Sequence, residues 1–76
     1  MNEIYEKEFG NNVRKLRKKK KLTQEQLAAK LQIQGCDITR SALAKIEVGQ
    51  RHLYPDEIKL IKELLHVSFE ELFYFD

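Results

Sequence analysis

The sequence predicts an all-α domain of five short helices. Three observations carry that prediction. Apolar residues recur at spacings of three and four through nearly the whole chain after Tyr5. A Thr or Ser followed three residues later by Gln or Glu stands where two of the periodic stretches begin, at Thr23 and Ser68. No stretch alternates apolar with polar residues as a half-buried strand does.

Phe9, Val13 and Leu16 draw one apolar stripe with Arg14, Lys15, Lys18 and Lys19 off it, which places a first helix over about residues 8–20. A start as early as Asn2 is compatible with the pattern, although Gly10-Asn11-Asn12 is poor helix material. Thr23 caps a second helix: its hydroxyl takes the amide hydrogen of the third helical residue, and Gln26 stands where it can answer back. That helix runs to Leu31, with Leu27, Ala28 and Leu31 facing inward. Residues 32–38 contain Gly35 and keep no period, so they form a loop. Thr39 is the next cap, and Leu43 and Ile46 give the third helix, about residues 39–48, its inner face. Gly49 sits just past it, where a left-handed residue commonly closes a helix. After residues 50–54, Pro55 suits the first turn of a fourth helix, where its missing N–H costs nothing. Asp56 and Glu57 favour the positive end of that helix, and Ile58, Ile61, Leu64 and Leu65 face its core. Ser68 with Glu71 opens a short fifth helix carrying Phe69, Leu72 and Phe73.

Seventy-six residues make a single domain, 1–76 with its core at 9–73, because a second hydrophobic core would not fit. No apolar run approaches a membrane span, and Met1-Asn2-Glu3-Ile4-Tyr5-Glu6 has no basic region followed by an apolar stretch, so no membrane or secretory address is expected. A single cysteine, Cys36, excludes an internal disulfide and suits a reducing, cytoplasmic setting. Cys36, His52 and His66 form no CxxC or HxxxH pairing, so neither metal nor cofactor is expected. Adjacent Glu70 and Glu71 diverge on a helix, and no Ser-His-Asp set or phosphate-cradling glycine loop occurs. An enzyme is the least supported class, and no small-molecule ligand is expected.

Charge is distributed unevenly. Residues 1–8 carry a net −2, residues 9–51 a net +8 and residues 52–76 a net −4, within an overall +2. Clustered positive charge points to a polyanionic partner. On its own, the run Lys18-Lys19-Lys20-Lys21 is equally explained as a solvated helix end favouring the negative pole of the helix dipole.

The second and third helices are the informative unit. Both are short and both lie in the basic section. Small Ala28 on the first of the pair permits close approach of the other. Such a pair can lay one helix across a phosphate backbone and the other in the major groove. With Leu43 and Ile46 inward, Arg40, Ser41, Ala44 and Lys45 are left outward, and they are short or hydrogen-bonding as a groove-entering helix requires.

At these residues the chain resembles the phage Cro and repressor-type helix-turn-helix proteins, the XRE family. The resemblance covers about residues 9–73 and rests on order and spacing. The stretches are Val13-Arg14-Lys15-Leu16-Arg17, Leu22-Thr23-Gln24-Glu25-Gln26-Leu27-Ala28, residues 39–51 and Val67-Ser68-Phe69-Glu70-Glu71-Leu72-Phe73. It implies a lambda-repressor-like five-helix fold and a set of roles. Arg40, Ser41 and Lys45 occupy places from which the family reads base edges, and Ala44 can meet a thymine methyl. The Arg40 fork suits guanine O6 and N7, a discrimination of about 1–3 kcal/mol. Gln24 would contact a phosphate and buttress the third helix; Thr23, Thr39, Arg51 and Lys18 would be further phosphate contacts, which position without reading sequence. Arg17 and Glu47 would pair inside the domain. Residues 34–38 depart from the family as a five-residue extension of the turn, which would let the third helix sit at a different angle and brings Asp37 towards phosphates unless it points away.

Four of the seven aromatic residues fall in the last eight positions, too many for one short helix to hide. Tyr74 and Phe75, with Leu53 and Tyr54, are candidates for a homodimer interface; the alternative is that Tyr74 and Phe75 fold back over the first helix against Ile4 and Tyr5. The expected function is a cytoplasmic, bacterial or phage-encoded regulator that binds double-stranded DNA as a homodimer, with repression the expected outcome. The alternative is an adaptor or antitoxin that holds a protein partner through the acidic, aromatic C-terminal third.

Overall fold

The computed structural model describes residues 3–75, which contain five α-helices and no strand: α1 (Glu3–Lys19), α2 (Gln24–Ile33), α3 (Arg40–Glu47), α4 (Pro55–Leu65) and α5 (Phe69–Phe73). The architecture is the expected all-α, lambda-repressor-like one. Val13 and Leu16 of α1, Leu27 and Leu31 of α2, Leu43 and Ile46 of α3, Ile61 and Leu65 of α4, Val67 and Leu72 meet in one core. α3 packs between α1 and α2, while α4 covers α2 and α5 covers α1.

Helix α1 starts at Glu3, about one and a half turns before the start its apolar stripe demands; Asn2, the earliest start compatible with the sequence, lies outside the described residues. The Gly-Asn-Asn segment that reads as helix-weakening is where α1 docks. A Cβ at Gly10 would overlap the Ile46 carbonyl oxygen and come within 3.0 Å of the Glu47 carbonyl carbon, so only glycine lets α1 lie this close to the end of α3. Asn12 donates from Nδ2 to the carbonyls of Glu71 (2.9 Å) and Leu72 (2.8 Å), tying α1 to the C-terminal end of α5. Tertiary contacts here override intrinsic helix propensity.

The caps at Thr23, Thr39 and Ser68 form as the spacing predicts. Their hydroxyls accept from the amides of Gln26 (3.0 Å), Ala42 (3.1 Å) and Glu71 (3.0 Å). Pro55 stands at the start of α4. The C-terminal ends of α1 to α4 share one device, a left-handed residue with a pair of backward hydrogen bonds. Lys21, Gly35, Gly49 and His66 hold φ of 61°, 83°, 80° and 55°. After α3, Gly49 N–H donates to Ile46 O (3.1 Å) and Gln50 N–H to Lys45 O (2.8 Å). Gly49 is doubly constrained, because a Cβ there would also lie 2.8 Å from Lys7 Cα.

The extended turn between α2 and α3 is anchored at both ends. α2 continues to Ile33, two residues past the expected end, and closes through Gly35 N–H to Gln32 O (3.0 Å) and Cys36 N–H to Leu31 O (2.9 Å). Ile38 is buried in the core, and Gln32 Nε2 donates to its carbonyl at 3.3 Å. Asp37 is exposed and lies in a depression with Asp56, Glu57 and Glu63, so it sits with the acidic residues of α4.

Candidate nucleic-acid interface

Leu43, Ile46 and Glu47 turn inward on α3, leaving Arg40, Ser41 and Lys45 exposed and Ala44 half-buried. Arg40 shares a groove with Thr23, Gln24 and Glu25 from the start of α2 and with Arg14 from α1. The N-terminal ends of α2 and α3 therefore open onto the same surface. Unpaired amides and the positive pole of each helix dipole favour phosphate at such ends. Thr23 and Thr39 use their hydroxyl oxygens as cap acceptors, which leaves each hydroxyl hydrogen to donate outward. Lys18 is exposed on the last turn of α1.

The surface is held in place by a buried ionic network. Arg17, 5% exposed, and Glu47, 3% exposed, bond through Nε to Oε2 at 2.8 Å and Nη2 to Oε1 at 3.1 Å. Arg17 Nη1 donates to Leu22 O at 2.6 Å, closing the turn after α1. Gln24 Nε2 donates to Glu47 Oε1 at 3.0 Å. Because the carboxylate can only accept, this fixes the amide orientation and leaves Gln24 one N–H for another acceptor. Every buried side-chain nitrogen and oxygen among the described residues has a partner, the condition under which buried charge is tolerated.

Arg51, expected at a phosphate, is engaged within the domain. Nη1 and Nη2 each lie 3.2 Å from a Glu57 carboxylate oxygen, and Nη1 also donates to His52 O at 3.0 Å. The Glu57 hydrogen bonds raise the Arg51 pKa. Burial opposes ionisation of Glu57, but the Arg51 hydrogen bonds and the Tyr54 amide (3.0 Å) outweigh it and lower the carboxyl pKa. Arg51 thus ties the end of α3 to the start of α4, its charge neutralised. Nearby, the His52 ring meets the Glu6 carboxylate, adding a contact to α1.

Two of the four interface candidates make contacts within the domain. Phe75 packs on Tyr5 with ring centroids 5.6 Å apart, and Leu53 packs against the core. Phe73 stacks on Phe9 at 5.0 Å, Phe69 lies 6.5 Å from Phe73, and Lys62 Nζ stands 5.0 Å over the Phe69 ring. The aromatic cluster thus serves largely to fasten α5 to α1, because ring-on-ring packing buries more apolar area than a single short helix provides. Tyr54 (64% exposed) and Tyr74 (81% exposed) remain outward.

Sequence reasoning did not single out Arg14, Lys7 or Asn11. These line an open groove of about 820 Å³ between α1 and α3, together with Ala44, Val48 and Gln24. Their four- and three-residue spacing was the available signal. Among the described residues, no group of three or more His, Cys, Asp or Glu side chains is placed to hold a metal ion, and no helix is long and apolar enough to cross a membrane.

Compared with known proteins, residues 13–72 match the family description for helix-turn-helix proteins. No curated protein and no solved structure matched the chain. The matched span runs from the α1 core residue Val13 to the α5 core residue Leu72 and contains the whole buried network, and the chain belongs to the helix-turn-helix family of the Cro and repressor (XRE) kind, a family of DNA-binding regulators and not of enzymes.

Proposed function

We propose that the protein is a sequence-specific regulator, acting as a repressor, that reads double-stranded DNA as a homodimer with α3 in the major groove. The observation that carries this reading is the shared outward surface of Thr23, Gln24 and Arg40, backed by an inner face locked through Arg17 and Glu47. Arg40 and Lys45 read base edges, Ser41 and Ala44 make short contacts, and Thr23, Gln24, Thr39 and Lys18 take phosphates. Arg51 is left out because Glu57 holds it.

The size of the domain supports the dimer. Successive major-groove faces lie about 34 Å apart, and the longest extent of the domain is 30 Å. One copy does not span two half-sites. Tyr74, with Tyr54, supplies the exposed aromatic surface for the second copy.

Selection from a randomised duplex library at about physiological ionic strength tests the proposal, because nonspecific binding is weak there. A two-fold symmetric motif with half-sites one helical turn apart is the expected result. A single enriched half-site would remove the dimer. Binding to all duplexes alike, with salt sensitivity and no enrichment, would refute sequence reading. On the selected site, Arg40→Ala relaxes preference at one base position, whereas Lys18→Ala weakens all sequences equally.

A further inference from the structure

We infer that the protein holds a small, uncharged, single-ring aromatic molecule in a pocket where α1, the end of α3, the start of α4 and α5 meet. The pocket shares no residue with the outward surface formed by the starts of α2 and α3, so this site stands or falls apart from DNA binding.

The pocket encloses about 130 Å³. Ile46, 2% exposed, is its most deeply buried residue, and half-buried Leu53 and Ile58 supply further aliphatic wall. The rings of Tyr5, Phe9 and Phe73 complete the apolar lining. These rings are fixed to one another: Phe9 and Phe73 stack at 5.0 Å, and the Tyr5 hydroxyl donates to the Phe73 carbonyl at 3.2 Å.

The polar side chains of the lining are already engaged. Besides the Tyr5 hydroxyl, the Glu6 carboxylate meets the His52 ring, and Arg51 is held by Glu57 and the His52 carbonyl. A ligand that had to hydrogen-bond would find these groups taken, and a charged one would lose its water without compensation. The occupant is therefore uncharged and apolar. Two features favour an aromatic ring over a saturated one. Aromatic walls pair with another ring in offset or edge-to-face geometry, and the flat Arg51 guanidinium stacks on a π face. Size sets the limit at one ring, since an apolar cavity of about 150 Å³ lined by Leu, Ile and Phe takes up benzene. Such a ligand is held by packing alone, so it requires none of the sequence fingerprints that mark nucleotide sites.

Benzene is the probe. In a methyl NMR titration of the full chain, the signals of Ile46, Leu53 and Ile58 move saturably while those of Leu27 and Leu31, outside the pocket, do not. The expected dissociation constant is about 1 mM, within reach of six carbon atoms. At about ten times that concentration the melting midpoint rises by about 6–11 °C. Cyclohexane, with the same carbon number and no π face, gives a response about threefold weaker at equal sub-millimolar concentration. Leu53→Trp fills the pocket and removes the benzene response. No saturable shift, equal responses to the two hydrocarbons, or a benzene response that survives in folded Leu53→Trp protein would overturn the inference. If Leu53→Trp does not fold, the comparison of benzene with cyclohexane on the unaltered chain decides by itself.

Discussion

Replacing Glu47 by alanine isolates what the buried network does for this domain. The change leaves Arg17 with its Nε and Nη2 hydrogens facing no acceptor and frees the Gln24 amide from its anchor. Arg17 is too deeply buried for water to take over both bonds. Breaking a buried pair by removing one partner costs about 3–5 kcal/mol. A domain of this length is stable by about 4–11 kcal/mol in total, so one substitution removes a large share. At about 4–8 °C per kcal/mol for a small domain, the melting midpoint falls by about 12–40 °C. The double variant Arg17→Met, Glu47→Leu removes both charges and fills the space with apolar atoms, which is commonly neutral or stabilising. It therefore melts above either single variant, a strongly non-additive cycle. Its DNA affinity stays below that of the wild type, because Gln24 still lacks its partner. Thermal melts at 222 nm with binding measured well below each midpoint separate the two effects. A Glu47→Ala midpoint within about 3 °C of wild type, or a double variant less stable than both singles, would refute the reasoning.

Gly10→Ala reverses the usual sign of its kind: glycine to alanine inside a helix ordinarily stabilises by about 0.5–1 kcal/mol, whereas here the new methyl meets the Ile46 carbonyl and urea denaturation will show a loss of stability. The lowered Glu57 pKa makes its contribution to stability fully present above the ordinary glutamate value of about 4.3 and lost as pH falls through the folded value, so Glu57→Gln flattens acid unfolding in that window. Burial, with added repulsion from Glu57 and Asp56 against a hydrogen bond from Ile38, raises the Cys36 thiol pKa, so iodoacetamide at pH 8 modifies the folded chain more slowly than it modifies free cysteine, and equal rates would contradict the geometry. Tyr74→Ser weakens self-association in sedimentation equilibrium without lowering the melting midpoint of the monomer, since most of the ring is already in solvent.

What the sequence shows well is what depends on neighbours along the chain. Thr23, Thr39 and Ser68 find their amides three residues away, Gly49 closes the helix just before it, and Pro55 begins the next; each interaction is complete within a few residues. What it hides depends on distant partners. Gly10-Asn11-Asn12 reads as a weak helix until α3 and α5 supply the backbone that Gly10 approaches and the carbonyls that Asn12 bonds. Arg51 reads as a free cation because Glu57, six residues on, looks like a helix-cap carboxylate, which it also is through the Tyr54 amide. Phe75 looks surplus to a small core until Tyr5 is placed beneath it. The outward residues of α3 were legible from periodicity alone, since Leu43 and Ile46 fix its inward face.

The extended turn bears on how firmly α3 is held. Residues added between the two helices would loosen α3 if they hung free, since an eight-residue helix has almost no stability of its own. Here the added chain carries its own attachments. The left-handed closure at Gly35 fixes where the turn leaves α2, and buried Ile38 fixes where it re-enters, two residues before Arg40. At the far end α3 is held by Glu47 to α1 and α2, by the Gly10 and Gly49 contacts to α1, and by Arg51 to α4. Lengthening a loop by a few residues costs little in closure entropy, and burying Ile38 offsets that cost with about 1.5–3 kcal/mol of apolar transfer. The extension is thus a peg that sets the start of α3, and the direction in which Arg40 is presented is set by Ile38 as much as by the network around Glu47.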